Sequence, residues 1–99
     1  MVNLNPTQGT EIRKIRPCLI VSPDEMNRYL QTLIVAPMTT TERPYPARVS
    51  VRFQGKAGQI ALDQIRAIDR ERLVRRLGTV SSAAAESASA TLLEIFRRS

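Results

Sequence analysis

Glu11, Arg16 and Thr39 are the side chains whose types and setting could do chemistry in this sequence. Glu11 precedes Arg16-Pro17, which opens the apolar run Cys18-Leu19-Ile20-Val21, and a second run, Leu33 to Met38, ends in Thr39-Thr40-Thr41. Acid, guanidinium and hydroxyl thus sit at the mouths of two hydrophobic strands, where a rigid scaffold holds reactive groups in place. The chain has no histidine, so acid–base chemistry must run on carboxylate, guanidinium and hydroxyl. With one cysteine and no clustered carboxylates at ligand spacing, neither a metal site nor a cofactor is expected. Each of these residues alone is ordinary. An arginine before proline is commonly a solvated strand end, threonines follow strands through β propensity, and a loop glutamate means little by itself.

Several short strands and one terminal helix must position this set. Met1 to Asn5 is a short first strand, and Pro6 to Ile15 a polar loop broken by Pro6 and Gly9. The continuous apolar pattern of Arg16 to Val21 predicts a strand buried on both faces. Ser22-Pro23-Asp24-Glu25 spells a helix start, with Ser22 as cap, Pro23 in the first turn and Glu25 closing a capping box. Leu33 to Thr41 is the next strand. Arg48 to Phe53 alternates, with Val49, Val51 and Phe53 on the buried face and Arg48, Ser50 and Arg52 on the polar one. Gly55 to Gly58 is the expected turn into a strand over Gln59 to Asp63, and the broken phase after Leu62 predicts a bulge or corner at Asp63-Gln64. Asp69 caps a single turn, Arg75 to Val80 is the last strand, and Ala85, Ala88, Leu92, Ile95 and Phe96 form the stripe of a C-terminal helix. This order predicts a mainly β protein of the α+β class, a small barrel with a helix across one end.

Ninety-nine residues make one domain, residues 1–99, with a modest core for which dimerisation is an ordinary remedy. A hydrophobic share of 42% fits a folded globule. Cys18 is the lone cysteine, which excludes an internal disulfide, points to a reducing cytoplasm and leaves it as a small core residue. No apolar stretch approaches the ~20 residues that span a bilayer, and no signal peptide is evident, so a cytoplasmic protein without membrane contact is expected. Fifteen basic against nine acidic residues give a charge of +6, which favours an anionic partner, nucleic acid or an acidic protein. All but Lys14 and Lys56 are arginines, whose planar fork suits phosphate and carboxylate.

Four segments resemble the MazF/PemK/Kid toxins. Asn3-Leu4-Asn5-Pro6-Thr7-Gln8-Gly9-Thr10-Glu11 is similar to the family's "Leu-x-Pro-x-x-Gly-x-Glu" opening, and Arg16-Pro17-Cys18-Leu19-Ile20-Val21-Ser22 to its "Arg-Pro" strand. Ile34-Val35-Ala36-Pro37-Met38-Thr39-Thr40 resembles the "Val-x-Pro-(apolar)-Thr" strand, and Asp63-Gln64-Ile65-Arg66-Ala67-Ile68-Asp69 the later "(Asp/Glu)-Gln-x-Arg" signature. The motifs occur in the family's order. The resemblance implies an SH3-like antiparallel β-barrel, assembled as a homodimer. It also implies the toxin of a toxin–antitoxin pair, an mRNA interferase that cuts single-stranded RNA without a metal and is held by an acidic, MazE-like antitoxin.

The family's main catalytic roles fall on the positions of Arg16 and Thr39, with Glu11 as candidate base. RNA carries its own nucleophile, the 2′-hydroxyl. A protein that cuts it must take that proton, stabilise charge on the phosphate oxygens and protonate the leaving 5′-oxygen; Arg16 and Thr39 suit the second task. Asp63 and Gln64 carry over as RNA contacts able to read base edges, and Thr10, Arg13, Lys14 and Thr40 are expected to touch RNA beside them. Arg66, in the same motif, is expected to pair with an acid such as Asp69. Arg13-Lys14-Ile15 stands where many members have a glycine pair, which adds charge for phosphate. Thr10 and Ala61 occupy the places of a histidine and an arginine used by one member, so that version of the mechanism does not transfer.

Two alternatives stay open from sequence, a protein-targeting toxin like the CcdB gyrase poisons and a basic RNA-binding barrel without activity. The end Phe96-Arg97-Arg98-Ser99 lacks the aromatic-glycine-aliphatic terminus of the first, and four aromatics give the second few stacking platforms. Relatives usually place a Gly-(Asp/Glu)-(apolar)-(aromatic) segment ahead of the residues matching Val2 to Pro6. Either translation starts upstream or the protein tolerates a short edge strand, and a longer first strand is expected to be the more stable form.

Overall fold

The computed structural model describes residues 1–3 and 15–97, and its spine is the second apolar run. β1 (Val2–Asn3) pairs antiparallel with β2 (Ile15–Arg16). β3 (Cys18–Ile20) then lies along one edge of β4 (Thr32–Thr39), with Cys18 opposite Pro37 and Ile20 opposite Val35. β5 (Arg48–Phe53) and β6 (Lys56–Ala61) form a hairpin, and β7 (Arg66–Asp69) follows. The other edge of β4 is shared, since Thr32 to Val35 pair with β7 whereas Met38 and Thr39 pair with β6. Bonds from Val21 N to Ile34 O and from Met38 N to Pro17 O turn the even residues of β4 toward β3. Pro37 therefore faces the place where one neighbour has ended and the next begins, so its missing N–H costs no ladder bond. The result is a curled antiparallel sheet, a half-barrel ordered β3-β4-β6-β5 with β7 on β4, and the α+β architecture expected from the sequence.

Both faces of β4 are covered, which is why its apolar run is continuous. One face sets Leu33 and Val35 against Val2, Ile68 and Cys18; the other sets Ala36 against Val49, Ile60, Leu62 and Ala88. Cys18 behaves as the small core residue expected, and burial pushes its thiol up to about 11. α2 (Ser82–Phe96) begins at Ser81, whose hydroxyl accepts from Ala84 N at 3.1 Å. No helix among the described residues is long and apolar enough to cross a membrane.

Several local expectations are corrected. The Arg16 to Val21 run breaks at Pro17 and is not buried on both faces, because among the described residues β3 is paired on one edge only and Ile20 stays 43% exposed. The capping box does not form at α1 (Asp24–Tyr29), where Pro23 stands at the cap. Ser22 is buried instead against β4, its hydroxyl donating to Asn27 Oδ1 at 2.6 Å and accepting from Ile34 N at 3.0 Å. The β5–β6 turn is the two-residue Gln54-Gly55, with φ of 52° and 79°, the left-handed pair that matches strand twist. Gly58 thus lies within β6, which starts before the expected Gln59 and ends at Ala61. The corner itself is present as a 3₁₀ turn over Leu62–Gln64. The Asp69 cap is present too, accepting from Glu71 N at 2.8 Å.

Arg75 to Val80 forms no strand. Its pairing stops at Leu73 opposite Val2, Val74 N to Met1 O, and the Met1 ammonium to Arg75 O at 2.9 Å. The helix stripe holds at Ala88 and Leu92 and differs at its two ends. Ala84 and Ala88 are buried and Leu92 is half-buried against the core, while Ala85, Ile95 and Phe96 are exposed.

Candidate active site

The site follows from one property of strands, that alternate residues share a face. Leu33 and Val35 point into the core, so Pro37 and Thr39 continue the same face beyond it. Extending the β3–β4 register by two residues sets Arg16 opposite Thr39, and the Met38 N to Pro17 O bond of 2.9 Å carries the pairing that far. Thr39 is opposite Gln59 across its other edge, Arg48 is opposite Ala61, and Arg66 opposite Val35. Arg16, Thr39, Ala61, Arg48 and Arg66 therefore project from one side of the curled sheet.

These five line a cavity of about 410 Å³ with Pro37, Thr41, Arg43 and Gln64. Among the described residues its lining holds four guanidinium groups and no carboxylate, so these residues make the concavity attractive to anions. Thr39 Oγ1 accepts a hydrogen bond from Thr41 N at 3.1 Å. A hydroxyl oxygen occupied in this way still has its own hydrogen to give, so Thr39 is set to donate into the cavity. Gly58 packs so close that a Cβ there would stand 2.6 Å from Thr39 O. A larger residue would displace the strand end that carries the hydroxyl.

Arg48 is already committed. Its Nε donates to Asp63 Oδ1 at 2.7 Å and its Nη2 to Oδ2 at 3.3 Å, with the guanidinium 5.3 Å above the Tyr45 ring. The Arg48 guanidinium holds the Asp63 carboxyl below its ordinary value. Arg16 and Arg43 form no ion pair among the described residues. Nor do three histidine, cysteine or acidic side chains converge among those residues.

Of the residues singled out from sequence, the structure brings Arg16, Thr39 and Gln64 together. Thr40 is exposed and outside the cavity, and Thr41 lines it instead, as an i, i+2 alternation dictates. Asp63 braces Arg48 and is not part of the lining. Thr10, Glu11, Arg13 and Lys14 lie outside the described residues. Sequence reasoning missed Arg43, and it put Arg48 on the solvent face of β5, where its side chain is only 7% exposed. Asp63 was the available signal for Arg48, yet the pairing that joins them appears only once β5 and β6 are in register. A larger cavity of about 810 Å³, between β3 and Leu73 to Val80, has none of the predicted site residues in its lining.

The chain is similar to known proteins in sequence and in fold. The family described as PemK-like, MazF-like toxin of type II toxin–antitoxin systems matches residues 1–96. The endoribonuclease MazF of Staphylococcus epidermidis is 33% identical over 87 residues, which span 82% of this chain and 72% of that protein. The MazE–MazF crystal structure (Form-II) from Deinococcus radiodurans superposes with a TM-score of 0.83 at 25% identity, covering 99% of this chain and 90% of that one. An endoribonuclease from a mycobacterial species superposes with a TM-score of 0.71 at 27% identity, covering 80% and 77%.

Proposed function

We propose, for a chain that belongs to the PemK-like, MazF-like toxins of type II toxin–antitoxin systems, that the arginine-lined cavity cuts single-stranded RNA by transesterification. The protein is an endoribonuclease toxin, an mRNA interferase, and it works on messages in the cytoplasm. The observation that carries the assignment is the placement of Arg16 and Thr39 opposite one another at the mouth of one cavity. The 2′-oxygen attacks phosphorus as its proton leaves to a base, the bond to the 5′-oxygen breaks, and that oxygen is protonated. Products are a 2′,3′-cyclic phosphate and a free 5′-hydroxyl. Arg16 gives paired N–H donors to the phosphate oxygens, and the Thr39 hydroxyl adds a further bond where negative charge grows. Glu11 is the candidate base. Gln64 offers an amide to a base edge, which makes cleavage sequence-specific. A relative named as an endoribonuclease favours this reading over a barrel that only binds RNA.

Incubating the purified protein with a mixed RNA and sequencing the cut ends tests the proposal. Discrete cuts at one recurring short sequence are expected. Intact RNA at micromolar protein would overturn it.

The partner is an acidic, MazE-like antitoxin, and the toxin acts as a homodimer. The net charge of +6, the arginine-lined cavity and the antitoxin-bound Deinococcus neighbour support this. An anionic segment that folds on binding should follow the RNA path past Arg16. Antitoxin peptide and a non-cleavable RNA should then compete, with affinity falling as salt rises and two toxin chains in each sedimenting complex. Independent binding of both ligands would contradict the shared path.

A further inference from the structure

Ser22 and Gln59 are the buried polar residues of the described chain, and Gln59 is 8% exposed. It stands opposite Thr39 in the β4–β6 ladder, on the face that carries the cavity. Its amide is spent on a single residue. Oε1 accepts from Arg43 N at 2.9 Å, and Nε2 donates to Arg43 O at 3.1 Å. A side chain thus makes the two-bond exchange that a neighbouring strand would otherwise make. Arg43 lies in the irregular connection between β4 and β5, where Pro44 and Pro46 offer no N–H. The clamp fixes the backbone of a residue whose side chain lines the same cavity as Arg16 and Thr39.

The charges give this clamp a purpose. Arg48 is paired with Asp63, whereas Arg16 and Arg43 have no carboxylate partner among the described residues. A phosphodiester carries one negative charge, and in single-stranded RNA the next phosphate follows one nucleotide away. We propose that Arg43 binds the phosphate next to the reacting one, and that Gln59 is its positioning residue. The inference rests on the RNA-cleaving reading and adds to it a second phosphate subsite. A strand held at two consecutive phosphates has its intervening sugar fixed, and that sugar carries the attacking 2′-hydroxyl when the neighbour lies on the 5′ side.

The test uses the full chain and an RNA of the mapped cleavage sequence, made non-cleavable by one 2′-deoxy sugar at the cut. Arg43→Gln should weaken binding roughly tenfold, the scale of losing one charge-assisted contact, and should lower the slope of log affinity against log salt by ~0.7, one phosphate's worth for a single strand. On cleavable RNA KM should rise by a similar factor, and kcat should fall with it only when the bound neighbour lies on the 5′ side, where it fixes the attacking sugar. A methylphosphonate, which is uncharged, at either neighbouring phosphate should weaken the wild type at one of the two positions and leave Arg43→Gln unaffected there. Gln59→Leu keeps every charge yet should raise KM severalfold, and it should add little in an Arg43→Gln background. A merely structural Gln59 would instead add in full. An unchanged KM and salt slope in Arg43→Gln, in a protein that cuts RNA, would overturn the subsite alone. A wild type that neither binds nor cuts RNA would remove the activity and the subsite together.

Discussion

Replacing Arg16 with alanine should abolish RNA cleavage and leave the fold intact. The side chain stands at the end of β2, a two-residue strand with both residues exposed, and it belongs to neither hydrophobic cluster. Its loss removes no core packing, so circular dichroism and the melting midpoint should match the parent protein. Its guanidinium lines the arginine-rich cavity beside the Thr39 hydroxyl, where a pentacoordinate phosphorane would gain charge. Loss of one preorganised donor of this kind typically lowers kcat by roughly 10²–10³, and Arg16 supplies a paired set. Thr39→Ala removes a single hydroxyl and should fall at the lower end of that range. Arg16→Lys should fail as well, since one ammonium keeps the charge but cannot reproduce two parallel N–H donors. Single-turnover rates on a short RNA of the mapped sequence measure all three. An Arg16→Ala protein cutting within a few fold of the parent would place the chemistry elsewhere.

The second large effect belongs to the substrate. If the attacking group is the 2′-hydroxyl, one deoxyribose on the 5′ side of the cut should eliminate cleavage there, and an all-deoxy strand should be inert. Binding should change little, because the cavity's arginines read phosphate charge and both backbones carry it. The upstream product should resist direct ligation and phosphatase until its cyclic phosphate is opened, while the downstream product should accept a 5′-phosphate from a kinase. Added chelator should leave the rate unchanged, as expected of chemistry run on guanidinium, hydroxyl and carboxylate. Cleavage of the deoxy strand, or its loss on chelation, would replace this mechanism with attack by water.

The residues of the site were legible in the order of the chain because strands advertise themselves through apolar runs and proline. Arg16-Pro17 and Pro37-Met38-Thr39 could be found without coordinates, as could the corner at Leu62–Gln64 and the cap at Asp69. These are local signals, fixed by backbone sterics and by the hydrogen-bonding reach of a single side chain. What sequence alone left undetermined was register. Whether Thr40 or Thr41 lines the cavity and whether Arg48 is solvated or braced by Asp63 turn on how strands align across the sheet. A slip of one residue would send each side chain to the opposite face. Gln59 is the sharpest instance. Its polar type in a buried strand gave no hint of a partner, because the group it satisfies is the backbone of Arg43, sixteen positions away in sequence. Side-chain identity determined which chemistry the chain could perform. The pairing of β4 with three different strands decided which groups could meet to perform it, since contacts between distant residues exist only once the sheet has curled.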